Sequence, residues 1–323
     1  MKGLKTFLSA LLILFLLFTP AELAVKAKES FTDARFVRTE NRYKGTIMLY
    51  HVVRERPYQG SLTAWLTARA EEFEKRHKGT FIMIEGMDEK AFLERIEQGR
   101  VPDAYSFFSG SLWEDRLCAL PDLCISFRDG ISQNAKAIPY GYTGFVRLTK
   151  DAHSSENRVY SDRPVLAARI GLRDLAADEG KADALYVDLR KAGDLIRYRE
   201  GYASATIQPV DNVTESVCWL GVDRECDAAK YEVLLSFFNE LLSEEAQRKL
   251  NELGMLSVRS DVRDVPPDPS LKAVFNAYQT VRTFDPFRWA IEYDALLEDA
   301  EDSIRGDDDA RVRFTIRLQE LYS

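Results

Sequence analysis

Residues 81–108 read FIMIEGMDEKAFLERIEQGRVPDAYSFF. A short apolar run, 81–85, is followed by Asp88. Asp88 starts a helix. Phe92, Leu93 and Ile96 then recur at helical spacing, and Gly99 closes the segment. A second apolar run, 104–108, completes strand, helix, strand. Upstream, residues 45–51 (GTIMLYH) have the composition of a buried strand. Ser61 can cap a helix carrying Leu62, Trp65, Leu66, Ala70 and Phe73 on one face. Gly79 ends that helix, with Lys75, Arg76, His77 and Lys78 beside its negative end. Short apolar strands alternating with amphipathic helices predict an α/β fold, with crossover helices on the faces of the sheet.

The pattern loosens downstream. Residues 137–147 (AIPYGYTGFVR) predict a strand entered through a proline and a glycine. Residues 149–161 read as a polar loop, 164–177 and 181–200 as weaker helices, and 207–213 as a loop. Residues 215–222 (ESVCWLGV) predict another strand. Asp227 can cap an amphipathic helix over 228–242. Residues 243–262 (SEEAQRKLNELGMLSVRSDV) then form a compact module. Ser243 is its cap, Ala246, Leu250 and Leu253 are its apolar stripe, and Gly254 stands at the left-handed stop. Prolines at 266, 267 and 269 make a turn, and helices fill the remainder to 323.

The first 27 residues predict a signal peptide or an N-terminal anchor. Lys2 and Lys5 precede an apolar run of 12 residues at 7–18. A bilayer-spanning helix needs about 20 apolar residues, so export followed by cleavage after Ala21 or Ala27 is the reading. Residues 28–43 form a linker. No cysteine precedes Cys118, so a lipid on a new N-terminal cysteine has no site. Cys118, Cys124, Cys218 and Cys226 suit an oxidising compartment and are expected to form two disulfides, with nearest-neighbour pairing one of three connectivities. A four-cysteine zinc site lacks its tight Cys-x2-Cys spacing. The net charge of −8, without a basic block, argues against nucleic acid as a partner.

Catalytic signatures are missing from the sequence. His51, His77 and His153 stand in separate contexts, and no phosphate-cradling glycine loop or GxSxG elbow occurs. The expectation is a protein without catalytic residues, metal or cofactor. Ligands in open α/β sheets bind beyond the carboxyl ends of strands, where loops meet. Aromatic and polar residues near such ends are therefore the candidate ligand-binding set: His51, Ser109, Trp113, Tyr140, Tyr142 and Trp219. Their rings suit the apolar faces of sugars and their polar groups suit hydroxyls. Arg259 joins them, leaving the end of the 243–262 module toward the expected cleft.

Several of these segments resemble the family 1 extracellular solute-binding proteins of ABC importers. They are GTIMLYH, WLTARAEEFEKRHKGTFIMIEG, the Gly99–Asp103 turn GRVPD, AIPYGYTGFV, and YREGYASA, which has Tyr198 and Ala205 where the family has phenylalanine and methionine. The most specific match runs from Phe237 through Leu241, Glu245, Gln247, Gly254 and Leu256 to Val262, with Ser257 in the usual proline position. The resemblance implies a two-lobed periplasmic-binding-protein-like fold of type II, with a ligand cleft between the lobes. Lobe 1 would span 44–148, a reduced lobe 2 149–227, returning helices 228–262, and a C-terminal helical region 263–323. Lobe 2 is reduced because only residues 143–214 separate AIPYGY from ESVCWLGV, where family chains are longer. The resemblance also implies a monomer outside the cytoplasm that captures a small solute, most often a sugar or oligosaccharide, and delivers it to a membrane permease. Membrane contact would come only through that partner or an uncleaved N-terminal segment. The alternative is a sensor or scaffold at the cell surface on the same fold.

Overall fold

The computed structural model describes residues 43–54, 60–149, 158–198, 202, 205–283 and 286–322. The predicted signal peptide or anchor, the linker up to residue 42, and His153 lie outside these residues.

The opening pattern folds as its periodicity dictates. Strands β1 (Gly45–Val52), β2 (Thr80–Met87) and β3 (Ala104–Phe108) run parallel, connected through helices α1 (Leu62–Arg76) and α2 (Glu89–Glu97). Ser61 Oγ accepts from Ala64 N at 3.2 Å, so the predicted cap forms, and Asp88, expected to start its helix, caps it by accepting from Ala91 N at 2.8 Å. Leu62, Leu66, Ala70 and Phe73 of α1 and Ile47 and Leu49 of β1 are buried in one core. Each large apolar side chain buried this way contributes about 1.5–3 kcal/mol.

The sheet continues with strands from later in the chain. Strand β10 (Val217–Val222) lies antiparallel between β3 and β4 (Ile138–Tyr142), giving the order β2-β1-β3-β10-β4. Every residue of β3, β4 and β10 is buried, which explains their apolar runs without alternation.

A second sheet forms the other lobe. It contains β5 (Phe145–Thr149), β6 (Val159–Ser161), β7 (Ala184–Asp188) and β8 (Thr206–Pro209) in the order β6-β7-β5-β8. Strands β6 and β7 are parallel, and β5 is antiparallel to β7 and β8. The sequence expectation needs correction here. The segment read as helix over 164–177 is helical only in α3 (Pro164–Arg169), and the segment from 181 begins as β7 before entering α4 (Leu189–Tyr198). Residues 184–188 (ALYVD) are a short, almost wholly buried run inside a sheet, where helical and strand patterns look alike. The polar loop expected over 149–161 ends in β6, and 207–213 carries most of β8. The fold is thus α/β with two sheet-containing lobes and mixed sheets, as a type II binding-protein architecture requires.

The lobes share crossing segments. One is Thr143–Gly144 between β4 and β5. A second runs between β9 (Val213–Thr214) and β10. Strand β9 pairs in parallel with β11 (Arg282–Thr283). The Tyr278 ring holds the first crossing: its hydroxyl donates to Phe145 O and accepts from Phe145 N. A side chain at Gly144 would meet that ring at 2.4 Å, so this position needs glycine.

The remaining helices are α5 (Ala228–Leu241), α6 (Glu244–Leu250), α7 (Lys272–Ala277), α8 (Arg288–Ile304) and α9 (Asp308–Tyr322). The last two close a separate small core with α3, built from Val165, Ala168, Leu296, Ala300, Ile304, Phe314 and Leu318. No helix of the described residues is long and apolar enough to cross a membrane.

The 243–262 module seats on the edge of the first sheet. Leu256 N donates to Tyr142 O at 2.8 Å, and Tyr142 N returns a bond to Leu256 O. Gly254 takes φ 74°, the left-handed stop. Buried Gln247 donates to Tyr140 O and Leu241 O and accepts from Ser257 Oγ and Val258 N. Ser257 has a physical reason to replace proline: its N–H donates to Asp264 Oδ1 at 2.9 Å, which proline cannot do.

The expected disulfides are overturned. Cys118, Cys124, Cys218 and Cys226 are all free thiols. Cys218 is buried within β10, inside the sheet, while Cys124 is exposed on a loop. Partial burial raises the Cys226 thiol to about 12, so it is held protonated.

Candidate functional site

The carboxyl ends of the parallel strands in each sheet lead to the crossing segments. From the first lobe, Arg54 follows β1, and the turn Ser109–Gly110–Ser111 follows β3. Arg54 Nη1 donates to Ser109 O at 3.1 Å, and its guanidinium lies 6.0 Å from the Phe108 ring centre. Ser109 N donates to Val217 O, tying this turn to the start of β10. Gly110 N donates to Pro286 O, and Phe287 stacks on Phe107, so a third stretch of chain is pinned at the same end.

Between the lobes, the crossing segments bond side by side. Thr143 N donates to Ser216 O, Thr214 Oγ1 donates to Thr143 O, and Ser216 N donates to Thr214 Oγ1. Glu215 stands in this segment. It is only 5% exposed, and its Oε2 has no hydrogen-bond partner.

From the second lobe, Asp162 and Arg163 follow β6, and Asp188 ends β7. Asp188 is buried and accepts from Arg190 N at 2.9 Å and Arg190 Nε at 2.8 Å. Thr143 Oγ1 reaches Asp188 Oδ1 at 3.4 Å, so the second lobe touches the first crossing directly. The junction is therefore lined by charged and hydroxyl groups: Arg54, Ser111, Thr143, Asp188, Arg190 and Glu215.

The residues expected from sequence are distributed differently. His51 and Tyr140 meet through Ser106: His51 Nδ1 lies 2.9 Å from Ser106 Oγ, which lies 2.8 Å from Tyr140 OH. All three are buried. Burial lowers the His51 pKa to about 4 and raises the Tyr140 hydroxyl well above its usual range. This is a serine–histidine pair in composition, but it is sealed inside a sheet, where no substrate reaches it. Trp219 is buried in β10 and donates through Nε1 to Ser109 Oγ at 2.8 Å. Tyr142 is buried and donates to Tyr278 O. Arg259 binds Asp261 and Leu242 O. Trp113 is 49% exposed and lines an open depression of about 660 Å³ with Glu114, Asp115, Arg116 and Lys136.

Of the expected set, Ser109 and Trp219 stand at the junction. Arg54, Asp188, Arg190 and Glu215 were not singled out by sequence. A signal existed for Glu215, a charged residue at the mouth of an otherwise apolar strand. Asp188 and Arg190 lay within a stretch whose strand–helix boundary the pattern did not mark. Among the described residues, no group of three or more His, Cys, Asp or Glu side chains could hold a metal ion.

No protein-family model matches the chain, and no curated protein matches it. Solved structures do. The GacH receptor of Streptomyces glaucescens, solved without ligand and with acarbose, superposes with a TM-score of 0.61 at 14% identity, covering 87% of this chain and 99% of the receptor. A cyclic alpha-maltosyl-1,6-maltose binding protein from Arthrobacter globiformis matches with a TM-score of 0.61 at 11% identity, covering 87% and 99%. A ferric binding protein from Campylobacter jejuni matches with a TM-score of 0.56 at 12% identity, covering 82% and 99%. The chain thus has the periplasmic-binding-protein-like fold of ABC-importer solute-binding proteins.

Proposed function

We propose that the protein is an extracytoplasmic solute-binding component of an ABC import system. It captures a small solute between its lobes and presents it to a membrane permease. One observation carries this reading: the strand ends of two sheets converge on shared crossing segments that are short enough to act as a hinge. A solute touching both walls stabilises the closed form by contacts that the open form lacks. The binding-protein fold shared with sugar receptors supports a sugar or oligosaccharide as the solute class. Nothing in the mechanism requires bond-making.

The test is a thermal-shift screen of sugars, amino sugars, polyols and amino acids, paired with small-angle scattering. A bound solute at millimolar concentration raises Tm by several degrees and shrinks the radius of gyration. A flat screen across all classes rejects the reading. Recovery of a permease on affinity purification from membranes separates transport from a sensor or scaffold role, which would bring down other partners.

A further inference from the structure

Glu215 is the feature that solute binding in general leaves unexplained. Its side chain is more than nine-tenths buried, and Oε2 accepts no hydrogen bond. A buried carboxylate without a counter-charge is strongly disfavoured, because desolvation is not repaid by any partner. Nearby cations do not supply that partner. Arg190 is committed to Asp188 through two side-chain bonds, at 2.8 and 3.3 Å. Arg163 acts electrostatically on Asp188, and Arg54 binds Ser109 O and Glu89. None of these arginines forms a hydrogen bond or ion pair with Glu215. Asp188, the other acidic group at the crossing segments, is near enough to interact electrostatically with Glu215 and supplies no counter-charge.

A second buried oxygen is in the same condition. Ser111 is 4% exposed, and its Oγ has no partner. The Ser109 N bond to Val217 O ties the Ser109–Ser111 turn to the start of β10, two residues after Glu215, so both groups stand at the same end of the sheet. A free carboxylate oxygen and a free hydroxyl, each built into a different segment, call for a ligand that brings hydrogen-bond donors and positive charge. A neutral hydroxyl could bond either group but would leave the carboxylate charge unbalanced. A metal ion would need more ligands than Glu215 and a hydroxyl provide.

Resting on the solute-binding reading above, we infer that the solute carries a protonated amine, and that Glu215 is the carboxylate that receives it. The class is an amino sugar or another small organic ammonium compound. Three of the aromatic residues expected to stack on a neutral sugar face, Tyr140, Tyr142 and Trp219, are consumed in the core and cannot serve at this site.

The experiment uses the full chain and its Glu215→Gln variant. Titration calorimetry compares glucosamine with glucose and N-acetylglucosamine, and spermidine with a neutral polyol. Calcium and magnesium are run alone. The expected result is at least tenfold preference for the cationic member of a pair, and loss of that preference in Glu215→Gln. Without ligand, Glu215→Gln is expected to raise Tm, because it removes a buried unpaired charge; this readout needs no solute. Neutral sugars binding as well as cationic ones, with the ratio unchanged in the variant, overturn the amine assignment while leaving solute binding intact. A lower Tm in the ligand-free variant, or tight binding of a divalent ion alone, also overturns it. No binding by any probe, cationic or neutral, rejects the assignment together with the solute reading.

Discussion

At the scale of single residues, burial decides role more than identity does. His51 follows the sequence expectation for a strand-end polar residue, yet it is enclosed with Ser106 and Tyr140 and kept neutral. Its pKa is lowered from 6.5 to about 4, with desolvation the main cause and Ser106 opposing it. The sign follows from linkage. The unfolded chain binds the proton first, so stability present above pH 6.5 is lost as pH falls toward 4 and is flat below that. At about 1.4 kcal/mol per pKa unit, wild type should lose roughly 2 kcal/mol more than His51→Asn between pH 7.5 and 4.5. Urea denaturation of both proteins at the two values measures the difference. Equal losses would show that the histidine is not held neutral. Ser257 makes the same point about context. Sequence likeness marks it as a departure from proline, and the structure gives it work as a donor to Asp264 and Gln247.

At the scale of elements, local chemistry was legible where caps and periodicity agreed. Ser61, Asp227 and Ser243 cap the helices they were expected to cap, and Asp88, expected to start its helix, stands as its cap. The Ser243 hydroxyl accepts from Ala246 N at 3.3 Å, and Glu244 and Glu245 occupy the positive end of α6. Replacing Ser243 with alanine should therefore cost about 1 kcal/mol, within the 0.5–2 kcal/mol range of such caps. Chemical denaturation with an unchanged m-value would verify it, and a loss near zero would mean that tertiary packing alone holds the helix. The second lobe was less legible. Strand β7 is a five-residue buried run, too short for its periodicity to exclude a helix.

At the scale of the whole molecule, two cores of unequal size set different local stabilities. The main core joins both sheets with α1, α5 and α6, while α8, α9 and α3 share a small satellite cluster. Elements with little buried apolar area open at lower free energy than the global transition. Native-state hydrogen exchange should therefore show the amides of α9 opening well before those of β1, β3 and β10. Identical protection in both sets would show that the C-terminal helices unfold only with the main core.

The sequence by itself determined the α/β class, the first three strands, the caps and the module at 243–262. Those features arise from interactions within a few residues: cap hydrogen bonds, apolar spacing and a glycine stop. Tertiary structure alone decided that β10 enters the first sheet between β3 and β4, that Tyr140, Tyr142 and Trp219 are core, and that the four cysteines are free thiols. It also decided that Asp188 meets the first crossing segment at Thr143 and that Glu215 is buried in the second. Strand order and burial depend on contacts between residues a hundred or more positions apart, such as Trp219 with Ser109, and no local pattern encodes them.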